Sequence, residues 1–305
     1  MKAIVVTDEN AGTTGMELIE RPMPRIDTND VLVEVYASGF TPGELTWPGT
    51  WTDRSGRDRT PSIPGHEFAG IVKELGYGSR GVSVGQRVVG LADWSRDGTL
   101  AEYVAVEARN LVPLPADITF ATGASLTISG LTAWQGLFVH ARLEPGQIAL
   151  VHGAAGGVGS IVTQLARDAG AYVIGSGRTA DRHDALDFGA HEFLDLSTDR
   201  LEDLGDVDLV FDVIGAEIGA RSAGIVRTGG TLVTIAGPPQ ERPTDGLAID
   251  FVVEANRTQL VEIMQRARDG RLRSNIGTVA DLDNAVAAFN PTERVSGKTI
   301  IQIRS

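Results

Sequence analysis

The sequence predicts a two-domain α/β protein: a β-rich unit joined to an open, doubly wound parallel-sheet domain. Three observations predict it. The chain has 305 residues, and at about 100–200 residues per domain that length suggests about two. Near residue 118 the apolar pattern changes, from short alternating runs to apolar strands separated by helical stretches. The first strand after the change, residues 148–152 (IALVH), runs straight into a glycine-rich turn, GAAGGVG, at residues 153–159.

Each element follows from its local pattern. Residues 31–36 (VLVEVY), 70–75 (GIVKEL), 86–91 (QRVVGL) and 100–106 (LAEYVAV) alternate between turn residues, as strands do. Residues 41–64 form a long loop with Trp47, Trp51 and four prolines, and loops of that length are often functional. Residues 119–140 read as helical, with a break expected near Ser129–Gly130. Strands then alternate with helices. Residues 160–169 are helical and 171–175 (AYVIG) extended; 182–188 are helical and 208–213 (DLVFDV) extended; 216–227 are helical and 231–236 (TLVTIA) extended. This order implies a parallel sheet with crossovers. An extended run at 249–254, helices at 258–269 and 281–289, and a strand at 298–304 close the chain. A lone final strand needs a sheet to join, and the first domain can supply one.

Composition excludes several classes of function. With no cysteine, the chain forms no disulfide, thiolate nucleophile or Cys-ligated metal centre. A net charge of −13 disfavours general attraction to nucleic acid or anionic membrane. No stretch approaches the ~18–20 apolar residues of a membrane span. The first ten residues, MKAIVVTDEN, lack a signal-peptide pattern. A soluble cytoplasmic protein is expected.

The turn carries the strongest chemistry. In the dinucleotide fingerprint one glycine makes the turn, a second admits the pyrophosphate and a third lets helix and strand pack. Ala154, Gly156 and Gly159 stand at those places. The pyrophosphate would lie on backbone N–H groups of Gly153, Ala155, Gly156, Gly157, Val158 and Gly159 at the helix N-terminus. About 20 residues on, an NAD site carries an acid for the ribose 2′-OH. Here Ser176 and Arg178 stand instead, the nearest acid being Asp181. A guanidinium and a hydroxyl suit a 2′-phosphate, so NADPH is favoured over NADH. Arg182 either assists or faces solvent.

These residues resemble the medium-chain dehydrogenase/reductase superfamily, in its zinc-independent quinone oxidoreductase branch. The same resemblance runs through VYASGFT (35–41), PGHEFAGIV (64–72), GTLAEYV (98–104), GLTAWQGL (130–137) and GKTII (297–301), in the family's order. It implies a GroES-like β-rich substrate domain at 1–117 and 250–305, a Rossmann NADP-binding domain at 118–249, an active site in the cleft between them, and a homodimer. It implies cofactor contacts from Phe40, Thr41, Thr132, Val213, Ile214, Ala236 and Gly237. Zinc-dependent relatives carry their ligands where this chain has Thr41, His66 and Ser125–Thr127. Hydroxyls are poor zinc ligands beside thiolates, so no zinc is expected.

Without a Lewis acid to activate an alcohol, hydride transfer to an electrophilic carbon is the expected chemistry, on a quinone or an α,β-unsaturated carbonyl. Thr41 or a backbone N–H would stabilise the oxyanion. The proton would come from water or from His66, which otherwise is a structural remnant of the zinc pattern. Glu67 is expected to pair with a core arginine, and Glu44, where the family's loop often carries an acid or amide, either takes a polar role in the cleft or lies in a solvated loop. Trp47, Trp51 and Trp94 either wall a pocket for a flat substrate or pack beneath loops. His152, Tyr36 and Tyr103 are expected to pack. Two other readings stay open: an enoyl-thioester reductase using the arginines of residues 54–59 to hold a phosphopantetheine arm, and a low-turnover NADPH-binding redox sensor.

Overall fold

The structure, a computed structural model, describes residues 1–304, apart from the side chain of Pro42. The chain divides into two compact units, Met1–Ile128 with the segment from Glu254 onward, and Ser129–Val253.

The first unit is β-rich. Strands β1 (Lys2–Val5) and β2 (Glu17–Glu20) pair antiparallel. The long β3 (Asp30–Gly39) is followed by a 3₁₀ turn (Pro42–Thr46) and the single-turn helix α1 (Pro48–Trp51). Then come β4 (Glu67–Leu75), β5 (Arg87–Leu91), β6 (Tyr103–Glu107) and β7 (Leu111–Pro113). Alternate residues share a face: Val31, Val33 and Val35 of β3 meet Phe68, Val72, Val88 and Val104 in one core cluster.

Helix α2 (Phe120–Trp134) carries the chain across the unit boundary and widens into a π turn, Gln135–His140. It runs unbroken through Ser129–Gly130, where the sequence pattern suggests a break. One helical glycine costs about 1 kcal/mol, whereas the fully buried Leu126 and Leu131 flanking it contribute roughly 1.5–3 kcal/mol each. Gly136, in the π turn, has a packing role: a Cβ there would stand 2.3 Å from the Phe211 ring.

In the second unit β8 (Ile148–His152), α3 (Gly159–Asp168), β9 (Tyr172–Gly177), α4 (Arg182–Asp187), β10 (Glu192–Asp195), β11 (Val207–Asp212), α5 (Ala216–Ser222), β12 (Val226–Thr234) and β13 (Gly246–Asp250) alternate. All six strands are parallel, in the order β10-β9-β8-β11-β12-β13. Counted from β8 this is 3-2-1-4-5-6, the dinucleotide-binding order, in which strand order reverses between β8 and β11. The chain then returns through α6 (Arg257–Arg268), β14 (Ile276–Asp281), α7 (Ala285–Phe289) and β15 (Lys298–Gln302). β15 pairs antiparallel with β3 of the first unit. A β-rich unit and a doubly wound parallel sheet are the α/β class the sequence predicts. Among the described residues, no helix is long and apolar enough to cross a membrane.

Candidate functional site

Parallel strands bring all their C-terminal ends to one edge of the second unit's sheet. Gly153 after β8, Arg178 after β9, Val213 and Ile214 after β11, and Ala236 and Gly237 after β12 therefore share that edge. Gly153 has φ 68°, and a Cβ there would stand 2.7 Å from Val213 Cγ2. A Cβ on Gly159 would stand 2.0 Å from the Gly153 carbonyl oxygen, so α3 starts hard against the strand end. Ala154 is fully buried against Gly175; the alanine in the first glycine place fills space rather than facing a ligand. Among the described residues the N–H groups of Gly157 and Val158 find no acceptor, as at the open start of a helix. At Gly153 and Gly159 the turn has no room for a Cβ, and it has donors to spare, which fits a pyrophosphate. Ile214 is exposed at the same edge, and Asp212 Oδ1 accepts the N–H groups of Ile214 and Gly215 at 2.8 and 2.9 Å.

At the end of β9, Arg178 is about half exposed and forks onto Asp181, at 3.2 and 3.3 Å. That bond raises the Arg178 pKa further above its usual value. Ser176 is fully buried. The parallel register sets it opposite His152, and its hydroxyl lies 2.6 Å from His152 Nδ1. The direction of this bond follows from its neighbours. Ser222 donates to the Ile218 carbonyl, so it accepts from His152 Nε2–H at 2.7 Å. Nδ1 is then an acceptor, and Ser176 gives it its only proton. Ser176 thus has no proton for a phosphate, and Arg178 is left as the group at this strand end that can meet one. Arg182 lies over the Phe193 ring.

Burial pushes His152 down to about 4, and nearby Asp212 opposes this. A histidine depressed on folding adds stability in full above its unfolded value, about 6.5, and loses it as pH falls toward the folded value. Between pH 6.5 and 4 this contribution amounts to about 3 kcal/mol. In urea unfolding across that window, His152→Gln should lose correspondingly less stability than the wild type. Parallel acid limbs in the two proteins would assign the acid sensitivity to other groups.

The first unit gathers a second constellation around Glu44, which is fully buried rather than solvated. Its Oε1 accepts the Thr41 N–H at 3.1 Å; its Oε2 accepts the Gly65 N–H at 3.0 Å and lies 2.6 Å from His66 Nδ1. His66 is 3% exposed, and its Nε2 is buried without a partner among the described residues. Trp94 lies against the His66 ring with centroids 4.6 Å apart, and Trp47 meets Trp94 edge-on at 4.7 Å. Thr41 is exposed. Two expected members lie elsewhere. Trp51 donates to the Leu45 carbonyl and packs on a core cluster, and Phe40 is buried in that cluster, edge-on to Phe289. Thr132 is buried on α2.

Glu67 is fully buried, and its partner is Lys298 at the start of β15 rather than an arginine. The chain reaches the first sheet a second time through β15, which delivers this lysine. Ile128 N–H fills the other carboxylate oxygen at 3.0 Å. Burial pushes the Glu67 carboxyl up, against the pull of Lys298 and the Ile128 N–H. The hydroxyls at the expected third metal position are also engaged: Ser125 donates to the Thr122 carbonyl and Thr127 to the Gly123 carbonyl.

Residues 27–116 match the family described as "Alcohol dehydrogenase GroES-like domain", and residues 157–282 the family described as "Zinc-binding dehydrogenase". The chain is 30% identical to the 2-methylene-furan-3-one reductase of Solanum lycopersicum, over 92% of this chain and 73% of that protein. It is 30% identical to the chloroplastic NADPH-dependent alkenal/one oxidoreductase of Arabidopsis thaliana, over 82% of this chain and 65% of that one. The solved quinone oxidoreductase of Coxiella burnetii superposes with a TM-score of 0.89 at 25% identity, covering 100% of this chain and 99% of that one.

Proposed function

The chain belongs to the medium-chain dehydrogenase/reductase superfamily, in its quinone oxidoreductase-like branch, and we propose that it reduces a quinone or an α,β-unsaturated carbonyl with NADPH, without zinc. The observation that carries this reading is the tightly packed glycine turn Gly153–Gly159 at the strand-order reversal, with Arg178 at the next strand end. The relatives named as an alkenal/one oxidoreductase, a furanone reductase and a quinone oxidoreductase support the substrate class. Residues 118–249 serve as the NADP-binding domain, and residues 1–117 with 250–305 as the substrate domain of a cytoplasmic homodimer.

Bound NADPH supplies the hydride that reduces the electrophilic carbon. The chain's own residues do the rest. Gly157 and Val158 N–H groups hold the pyrophosphate, and Arg178, released from Asp181, takes the 2′-phosphate. Val213, Ile214, Ala236 and Gly237 line the same strand-end edge, and Thr132 with the backbone at Phe40 and Thr41 serves the nicotinamide end. The Thr41 hydroxyl, on an exposed residue, donates to the developing oxyanion. His66 Nε2 delivers the proton, and Trp47 and Trp94 wall the flat substrate beside it.

A catalytic zinc does not fit these residues. There is no thiolate in the chain. The Glu44 carboxylate is occupied by Thr41, Gly65 and His66, and that of Glu67 by Lys298 and Ile128. His66 alone offers an open donor, where catalytic zinc takes three protein ligands.

Fluorescence titration of NADPH and NADH tests this reading. NADPH should bind more tightly. Arg178→Ala should weaken NADPH by roughly 10- to 100-fold, the worth of a charge-assisted hydrogen bond, and leave NADH within about twofold. Asp181→Asn, which frees Arg178, should tighten NADPH by a few-fold. Turnover of simple quinones and enones with NADPH then follows. Binding of neither nucleotide would defeat the reading, and equal binding of both would remove the role of Arg178.

A further inference from the structure

The arginines of residues 54–59 do not form an open basic channel. Arg54 pairs with Asp93, Arg57 with Asp53, and Arg59 with Asp97 and the Gly49 carbonyl. Three other arginines do converge. In the first unit, Arg80, Arg109 and Arg257 line a cavity of about 680 Å³ together with Asn29 and Ser79. All three arginines are exposed. Among the described residues Arg80 and Arg109 have no ion-pair partner, in a protein whose net charge is −13. Glu107, the cavity's one acid, is held by Arg96 at 3.2 Å.

The frame of this cavity is tied together. Asn29, at φ 67°, donates its N–H to the Tyr77 carbonyl and accepts the Ala108 N–H, which links three loops. Ser79 donates to the Asp30 carbonyl, and Arg257 Nη2 to the Gly81 carbonyl at 3.2 Å. Arg109 also lines a second cavity of about 500 Å³ that contains Trp94, the ring against His66.

We propose that the Arg80–Arg109–Arg257 cavity binds a phosphate ester or diphosphate group. Guanidinium forks match phosphate oxygens in pairs, and the one carboxylate that lines this cavity, Glu107, is already held by Arg96. Two sources share this chemistry: a free phosphate-bearing ligand, or a phosphate at the tail of the substrate itself, which Arg109 and the second cavity would connect to Trp94. The substrate source rests on the reductase reading; the site does not.

The probe is pyrophosphate, titrated calorimetrically into the full chain saturated with NADPH. Wild type should bind it in a salt-sensitive way, and Arg80→Ala/Arg109→Ala should bind at least tenfold more weakly. Arg242→Ala/Arg294→Ala removes the same charge from exposed positions elsewhere and should bind as the wild type does. NADPH affinity should be equal in all three, which checks folding and separates failure of this site from failure of the cofactor reading. An unweakened Arg80→Ala/Arg109→Ala, an equally weakened control or no binding to wild type would overturn the site. Turnover then identifies the source. If KM rises in the Arg80→Ala/Arg109→Ala variant for an enoyl thioester of phosphopantetheine but not for a neutral enone, the phosphate is the substrate's. If neither KM moves while pyrophosphate binding falls, the ligand is free.

Discussion

Replacing Lys298 by methionine should lower unfolding free energy by about 3–5 kcal/mol, the usual cost of stranding one partner of a buried ion pair. Urea unfolding would show it as a lower midpoint at unchanged slope. The argument rests on Glu67, which has no exposure at all. Its ionised form is held by Lys298 on one oxygen and the Ile128 N–H on the other. Burial works against that form, and without Lys298 a single N–H remains to offset it. Glu67→Gln/Lys298→Met should recover most of the loss, because the glutamine still accepts the Ile128 N–H and leaves no charge buried. A single variant that costs under about 1 kcal/mol, or a double variant no better than the single, would show that the pair is dispensable. The consequence reaches the candidate site. Glu67 opens β4 directly after His66, and a Cβ on Gly39, two residues before Thr41, would stand 2.1 Å from the Glu67 carboxylate. Loss of this pair therefore loosens the strand ends that carry both side chains.

What was legible in the sequence is what depends on neighbours in the chain. The alternation of strands and helices, the glycine turn and the arginine at the second strand end are local patterns, and the parallel sheet keeps them in register. Ser176 shows where locality stops. Its position could be read, but its proton is committed to His152 across a strand pair, and no periodicity reveals that. Glu44 was hidden differently. It reads as a polar residue in a long loop, yet three backbone and side-chain donors bury it. A signal was present: an acid three residues after Thr41, ahead of a helical turn, is the spacing of a capping box. Lys298 had no such signal, since 231 residues separate it from Glu67. The sequence pattern predicts that a final strand returns to the first sheet, but not which cation it delivers.

His66→Ala should reduce kcat by about 100- to 10,000-fold, the range for removing a positioned proton donor, with a much smaller change in KM. Two features support so large an effect. His66 Nε2 is a buried polar atom with no partner among the described residues, and such an atom costs stability unless something else uses it. Glu44 also fixes which nitrogen is available: with Nδ1 turned to the carboxylate at 2.6 Å, only Nε2 can exchange a proton with a substrate. In the charged ring Nε2–H is the donor and Glu44 the counter-charge. Glu44→Gln keeps an acceptor for Nδ1–H but removes that charge, and it sets an amide N–H₂ against backbone donors at Thr41 or Gly65. It should lower kcat less than His66→Ala does while costing about 1–3 kcal/mol of stability. Added imidazole separates chemistry from architecture. It should restore part of the turnover of His66→Ala, because the vacated space beside Trp94 has the shape of the lost ring, and it should do nothing for Glu44→Gln, whose histidine is still in place. NADPH affinity should be unchanged in both, since the glycine turn and Arg178 are untouched. If His66→Ala keeps kcat within a few-fold of wild type, the proton comes from water, and the Glu44–His66 pair serves only to bind Thr41 and Gly65 into one loop structure.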